Sequence, residues 1–316
     1  MSEEPHPFTT IDQQIQLLED RKLIFRSKEY AKQILSMYGY YNVINGYKDN
    51  YVISVDGEEQ YKEGVTFEQI VSLFSMDHSI RNEVMSIMID VEEMLRATVS
   101  YVVGEHCGYK KDDYLDITKY RNQSKRNYRF SLKAILKTLN DAYLSDKDPI
   151  KYNREKYGNV PPWVLLKGVY FSTIINYLGF FKSPMKSELI ARIYVLDPNM
   201  VTSETKQIFS DSLAMFLDYR NLCAHGGRIY NYQPKNYVRV IKGKTLSSEF
   251  VRLCNSQKLG QLILALDLIS CRQYGKTLRL RIEYALQQHC KSYPEDLDYL
   301  LDSMCLRDMI DIDLSV

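Results

Sequence analysis

Helical periodicity runs through most of this chain. In TTIDQQIQLLEDRKLIF the apolar Ile11, Ile15, Leu17, Leu18, Leu23 and Ile24 fall near the i, i+3/i+4, i+7 spacing of one helix face, and Thr10 stands where an N-cap belongs. A second helix is predicted over SKEYAKQILSMYGYYNVINGY. It runs into an aromatic cluster, Tyr38, Tyr40, Tyr41 and Tyr47, with Gly39 and Gly46 as breaks. Residues 51–65, YVISVDGEEQYKEGV, read as an extended or loop connection around Asp56-Gly57 and mark the best domain boundary. From Thr66 the pattern is helical almost throughout to a stop at Gly108, as one long helix or two in line, with Thr66 and Gln69 spaced as a capping box.

The second half continues in the same way. PPWVLLKGVYFSTIINYLGFF predicts a buried helix headed by the only tryptophan, Trp163. A short helix near 186–195 and a helix over 202–225 follow. NYQPKNYVRVIKGKTL reads as loop or short strand, and QKLGQLILALDLISCRQYG and TLRLRIEYALQQHC return to helix. The expectation is an all-α fold with minor extended segments. It divides into an N-terminal helical region (1–65), a helical domain (66–292) with a basic insertion (109–138), and an acidic C-terminal segment (293–316).

Composition narrows the classes. The chain has 316 residues, and 41 Lys and Arg stand against 40 Asp and Glu, so no global polycation exists to bind nucleic acid by charge alone. Any basic surface must be local. Tyrosine is abundant, at 26 residues, and its amphipathic rings can pack in a core or stack on bases. The six cysteines are far apart, and no Cys or His spacing suggests a metal site, so free thiols and no metal or cofactor are expected. The opening MSEEPHPFTTIDQQ lacks the basic start and apolar run of a signal peptide, and no stretch approaches the length of a membrane span. A cytoplasmic protein with no membrane contact is expected.

Charge is distributed unevenly. Lys110, Lys111, Lys119, Arg121, Lys125, Arg126 and Arg129 cluster in the 109–138 segment, interleaved with Tyr109, Tyr114, Tyr120 and Tyr128, a combination that suits a phosphate backbone and stacked bases. It also suits an ordinary solvated face. The acidic segment from Tyr293 carries Glu295, Asp296, Asp298 and Asp302 against Arg307 alone, and can pack on or shield a basic face.

The stretch DYRNLCAHGGRIYN, residues 218–231, is where chemistry concentrates. At about 100° per residue, Asn221 and His225 share one helix face one turn apart, while Arg220 is offset and must reach around with its long side chain. The Gly226-Gly227 pair offers a C-cap that puts His225 in the last turn, where the helix dipole favours its protonated form. An imidazole near neutrality is a usable proton donor or acceptor, and a guanidinium suits phosphate oxygens. The same residues also read as a buried arginine paired with a carboxylate and a histidine closing the helix. Asp77 with Arg81 and Glu92 with Arg96 have the i, i+4 spacing of ordinary ion pairs, and a carboxylate there can also hold Arg220. His6 and His289 have no evident partners.

RNLCAHGGRIYN resembles the RN-x3-H signature of the HEPN (higher eukaryotes and prokaryotes nucleotide-binding) ribonucleases, in the extended form RN-x-x-AH-x-x-R-x-YN of Abi-like abortive-infection proteins of the AbiD and AbiF type. IDQQIQLLEDRKLIF, YGYYNVINGY, the TFEQIVSLF…VEEMLRATV helix and PPWVLLKGVYFSTI resemble, in order, further blocks of that family. The resemblance implies a HEPN-type helical bundle behind a small N-terminal helical region. It implies a metal-independent endoribonuclease of phage defence, with Arg220, Asn221 and His225 catalytic and with Arg228, Tyr230 and Asn231 supporting the site or contacting RNA. It further implies RNA as substrate, a structured small noncoding RNA as controlling partner, and a homodimer, since the single R-x4-H would supply only half of a composite site. Gly227 departs from the HEPN toxins silenced by a nucleotidyltransferase, which carry Tyr there. The rival reading is a non-catalytic, structured-RNA-binding protein in which the Arg-His motif is structural.

Overall fold

The computed structural model describes residues 8–122, 130–240, 246–269 and 273–314. Its helices in chain order are α1 (Ile11–Asp20), α2 (Lys28–Tyr38), α3 (Phe67–Cys107), α4 (Lys111–Tyr114), α5 (Leu132–Tyr143), α6 (Ile150–Tyr157), α7 (Pro162–Leu165), α8 (Phe171–Leu178), α9 (Ser183–Tyr194), α10 (Ser203–Ala224), α11 (Ser248–Asn255), α12 (Lys258–Asp267), α13 (Tyr274–Cys290) and α14 (Leu297–Met304). The strands β1 (Val52–Val55) and β2 (Glu58–Tyr61) form one antiparallel hairpin. The fold is all-α, as the periodicity predicts. Among the described residues no helix is long and apolar enough to cross a membrane.

The chain groups into two compact units, each discontinuous in sequence. One comprises Met1–Asn82, Arg228–Asn231 and Leu280–Val316, and the other Glu83–Gly227 and Tyr232–Arg279. This grouping differs from a linear division at 65 and 292, because the chain returns twice to the first unit.

In the first unit, α1 begins with the predicted cap. Thr10 Oγ1 accepts from Gln13 N (3.3 Å), and Gln13 Oε1 accepts from Thr10 N (2.8 Å), a reciprocal box that satisfies two otherwise orphan amides. Asp56 and Gly57 have φ of 53° and 85°, the pair of left-handed residues that a two-residue hairpin turn requires. The start of α3 is only half as predicted. Gln69 N donates to Thr66 Oγ1 (3.2 Å), but the Gln69 amide is drawn away to Asp296 (3.0 Å) and Glu295 (2.9 Å).

That diversion shows what the acidic segment does. Asp296, 2% exposed, accepts from Tyr51 Oη (2.7 Å) and Gln69, and His289 Nε2 lies 3.0 Å from it. His289 therefore has partners after all, with Ser72 Oγ 2.8 Å from its Nδ1. Burial works against the Asp296 charge, yet the hydrogen bonds from His289, Tyr51 and Gln69 together hold its carboxyl below the usual range. Leu300, Leu301 and Met304 of α14 are buried beside it, so the segment builds core, and Arg307 is occupied by Asp298 and Asp302 at 2.7 Å each.

In the second unit, Val91, Leu95, Val99 and Val102 form a fully buried stripe on α3. Helix α10 packs on α8, α9 and α12 and buries Phe209, Met215, Phe216 and Tyr219. Packed on three helices, it is central to this unit. The stretch 161–181 is not one helix. After α7 the chain tightens into a 3₁₀ turn over Leu166–Gly168 and restarts at α8. A Cβ at Gly168 would come 2.6 Å from Ile150 Cδ1, so the turn lies tight against α6. Leu165 and Leu166 are buried, whereas Trp163 is 53% exposed.

Candidate active site

Helix α10 ends where the RN-x3-H stretch does, and the ending is specified by the two glycines. His225 is the C-cap residue, Gly226 takes φ +70°, Gly226 N donates to Cys223 O (3.2 Å) and Gly227 N to Leu222 O (3.0 Å). This is the paired 5→2 and 6→1 pattern of a Schellman motif, which only a left-handed residue can close and glycine closes without strain. The consequence is a helix end fixed in place with its last side chains outside the core. Asn221 and His225 are exposed, and the His225 ring has no hydrogen-bond partner among the described residues.

Arg220 joins this face to the interior. Its Nε lies 3.8 Å from Glu92 Oε2 on α3, and its Nη1 reaches Asn221 Oδ1 at 3.5 Å. Glu92 is also hydrogen-bonded by Arg96, one turn along α3, and Arg96 Nη2 donates to Val169 O (3.2 Å). Glu92 is thus the carboxylate that holds Arg220, and the i, i+4 pair with Arg96 forms as its spacing predicts. Two guanidinium groups share one buried carboxylate, leaving an excess positive charge. The Nε atoms of both Arg96 and Arg220 are buried without a hydrogen-bond partner, so this charge is incompletely neutralised. An arginine with 34% of its side chain exposed, whose Nη1 reaches only Asn221 Oδ1 at 3.5 Å among the described residues, is suited to take the oxygens of an incoming phosphate with its outer nitrogens.

The trailing half of the motif, Arg228–Asn231, belongs to the first unit and is built differently. Ile229 N (3.0 Å) and Tyr230 N (2.7 Å) both donate to Asp77 Oδ1, and Tyr47 Oη donates to Asp77 Oδ2 (2.7 Å). The predicted pairing of Asp77 with Arg81 is present but loose, at 3.9 Å. Burial raises the Asp77 carboxyl above its ordinary range despite these bonds. Tyr230 is 0% exposed, stacks on Tyr47 with ring centres 6.0 Å apart, and lies 3.4 Å from Tyr299 Oη. Arg228 donates to Gly46 O and pairs with Asp49 at 3.0 Å. Tyr230 therefore supports the segment from within a core. Asn231 is half-buried.

The basic residues of the 109–138 segment are placed only in part. Lys110 and Arg121 are exposed, Lys119 closes a 3₁₀ turn, and Lys111 lies 4.8 Å from the centre of the Tyr143 ring. Lys125, Arg126 and Arg129, with Tyr128, lie outside the described residues. Of the interleaved tyrosines, Tyr114 and Tyr120 are core residues whose hydroxyls donate to Val160 O (2.7 Å) and Tyr114 O (2.6 Å), which removes them as stacking platforms. Tyr109 remains exposed. No cluster of three or more His, Cys, Asp or Glu among the described residues could hold a metal ion.

An all-α protein whose helix α10 ends in an exposed imidazole, with a partly buried guanidinium paired to a carboxylate five residues before it, is thus the class the geometry defines. The family model described as Abi-like protein matches residues 33–231, and the chain belongs to that family. Membership supports an abortive-infection role in phage defence. The match ends at Asn231, the last residue of the motif. No curated protein and no solved structure matches the chain.

Proposed function

We propose that this protein is a HEPN-type endoribonuclease that cleaves RNA without a metal. The observation that carries the reading is the Arg220 guanidinium, loosely paired with Glu92 at 3.8 Å and extended at Nη1 to Asn221, on the helix end where His225 stands exposed. His225 would take the proton from a ribose 2′-OH as the 2′-oxygen attacks phosphorus. The bond from phosphorus to the 5′-oxygen breaks, that oxygen takes up a proton, and a 2′,3′-cyclic phosphate remains. Arg220 would stabilise charge on the non-bridging oxygens, and Asn221 would orient the guanidinium. Acid and base are both needed while this helix end offers one imidazole, so a second copy of the chain completes the site. Exposed cations of the 109–138 segment would hold RNA, including a structured small noncoding RNA that restrains the enzyme.

The test is product chemistry. RNA incubated with the purified protein in chelator should yield 2′,3′-cyclic phosphate ends, and a 2′-deoxy substitution at the cleaved nucleotide should abolish the cut. Cleavage that needs a divalent ion, or that ignores the 2′-deoxy substitution, contradicts the mechanism. One observation favours the rival, non-catalytic reading: Glu92 gives Arg220 a structural partner. That reading predicts RNA binding with no cleavage by any preparation.

A further inference from the structure

A second cationic centre lies at the start of α9 and the first half of α10, both within the second unit. Lys186 Nζ bonds Ser210 Oγ (2.9 Å), and Lys206 Nζ bonds Ser183 Oγ (2.8 Å). Lys182 Nζ bonds Thr118 O (2.7 Å). All three ammonium groups are thus held by neutral oxygens, and among the described residues none is within 4.0 Å of a carboxylate. At longer range Asp116 interacts with Lys182 and Asp211 with Lys186. Two such acids do not pair directly with the three ammonium groups, and an anion from outside would relieve the repulsion among them.

The helix they surround is also prepared for an anion. Helix α9 is 12 residues long and starts with Lys182 at its N-cap, with no side-chain capping bond and no acidic residue in its first turn. A lysine is the wrong charge for the positive end of a helix, and since Pro184 has no N–H, the Ser183 and Met185 amides are the donors that open it without a capping side chain. Ser183, whose hydroxyl Lys206 holds, also lines an open groove of about 960 Å³ with Ser187, Arg192 and Asn199. Glu188 in the same groove is occupied by His106 (2.6 Å) and Arg192 (2.7 Å). The crowding has a measurable sign: burial, with Arg121 and Lys206 nearby, pushes the Lys186 ammonium down to about 8.

We propose that Lys206, Lys186 and the amides opening α9 form a binding site for a phosphate group. On the reading of the protein as a ribonuclease, on which the ligand's identity rests, that group belongs to the RNA strand being cut. Ser210 and His225 lie on one helix, roughly 20 Å apart along its axis at 1.5 Å per residue, a distance that a few nucleotides of a single strand can span.

The experiment uses the full chain carrying His225→Ala, so that cleavage does not interfere. Binding of a fluorescent single-stranded oligouridylate, and its competition by inorganic tripolyphosphate, are measured across a salt series for this parent, for Lys206→Gln and for Lys186→Met, with Lys151→Gln as control. Each of the two lysine variants should weaken oligouridylate binding and lower the log–log salt slope by about 0.7, the value for one single-strand phosphate contact, and Lys151→Gln should change neither. Tripolyphosphate bound in a Lys206-dependent way without oligouridylate would keep the phosphate site and assign it a free phosphate compound. Equal affinity and slope in parent and both variants, or no binding of either probe to the parent, overturns the proposal. Lys206-dependent binding together with a wild-type protein that cuts no RNA would retain this site and reject the nuclease reading.

Discussion

The two halves of one fourteen-residue motif, residues 218–231, are treated in opposite ways by the fold. Arg228–Asn231 are tied down: Asp77 accepts two backbone amides and the Tyr47 hydroxyl, and Tyr230 is sealed from solvent. Arg220 and His225 are left short of partners, with a buried guanidinium Nε unbonded and an imidazole in the open. A polar group satisfied inside the protein holds structure, while one left wanting outside is available to a ligand. Adjacent residues of a single signature can thus serve stability and chemistry separately.

The sharpest way to break this comparison is at Asp77. Asp77→Ala strands two amides and a hydroxyl in a core, and should cost about 3–5 kcal/mol of unfolding free energy in urea denaturation, the scale for removing one member of a buried charged network. A loss below about 1 kcal/mol would mean the trailing half is not held this way. Next in size, Arg220→Ala should slow RNA cleavage by about 10²–10³ fold while moving the denaturation midpoint little, because the side chain is under-bonded where it stands. A collapse of stability instead would make Arg220 structural. Glu92→Gln keeps the shape but weakens the hold on Arg220, and about a tenfold fall in cleavage is expected, with the pH optimum unmoved. Equal cleavage would show that Arg220 needs no anchor.

The smallest effect sharpens the contrast within the first unit itself. Burial raises the Asp77 carboxyl, so the folded state binds that proton more tightly than the unfolded chain, and stability from this group falls as pH rises above the ordinary carboxylate range. Asp296 is held low, so its contribution is present above that range and is lost as pH falls through its folded value. The stability lost on Asp77→Asn should therefore be larger in acid than at neutrality, and that lost on Asp296→Asn the reverse. Denaturation of both variants between about pH 3 and 7 decides, and matching trends in the two would refute the assignment.

How much of this was legible beforehand follows from range in sequence. The Thr10 box, the end of α10 at Gly226 and the Glu92–Arg96 pair depend on residues a few positions apart, and the sequence shows them. Asp77 was legible only as a partner of Arg81, because Tyr47, Ile229 and Tyr230 reach it from 30, 152 and 153 positions away. A local hint existed, since Asp77 interrupts the apolar stripe Ile70, Leu73, Ile80 and Val84. A charge at a core register asks for distant partners. His289 carries no such hint, since it follows two glutamines and its partners Ser72 and Asp296, 217 and 7 positions away, leave no helical spacing signal. A lone tryptophan heading an apolar run predicts a buried ring, whereas Trp163 is exposed and the interior is taken by Leu165 and Leu166, where the turn over Leu166–Gly168 begins. Lys182 and Lys186 are an i, i+4 pair at the start of α9, but Lys206 sits on α10, so only packing brings it to them.

The central claim is that the exposed end of α10 performs chemistry that the rest of the motif only supports. It is tested most directly by RNA cleavage with His225→Ala, a change on the surface of a capped helix that should leave folding and RNA binding as they are. The account predicts a loss of about 10²–10⁴ fold, the range for removing a general acid or base. Undiminished cleavage by a folded His225→Ala protein would contradict it.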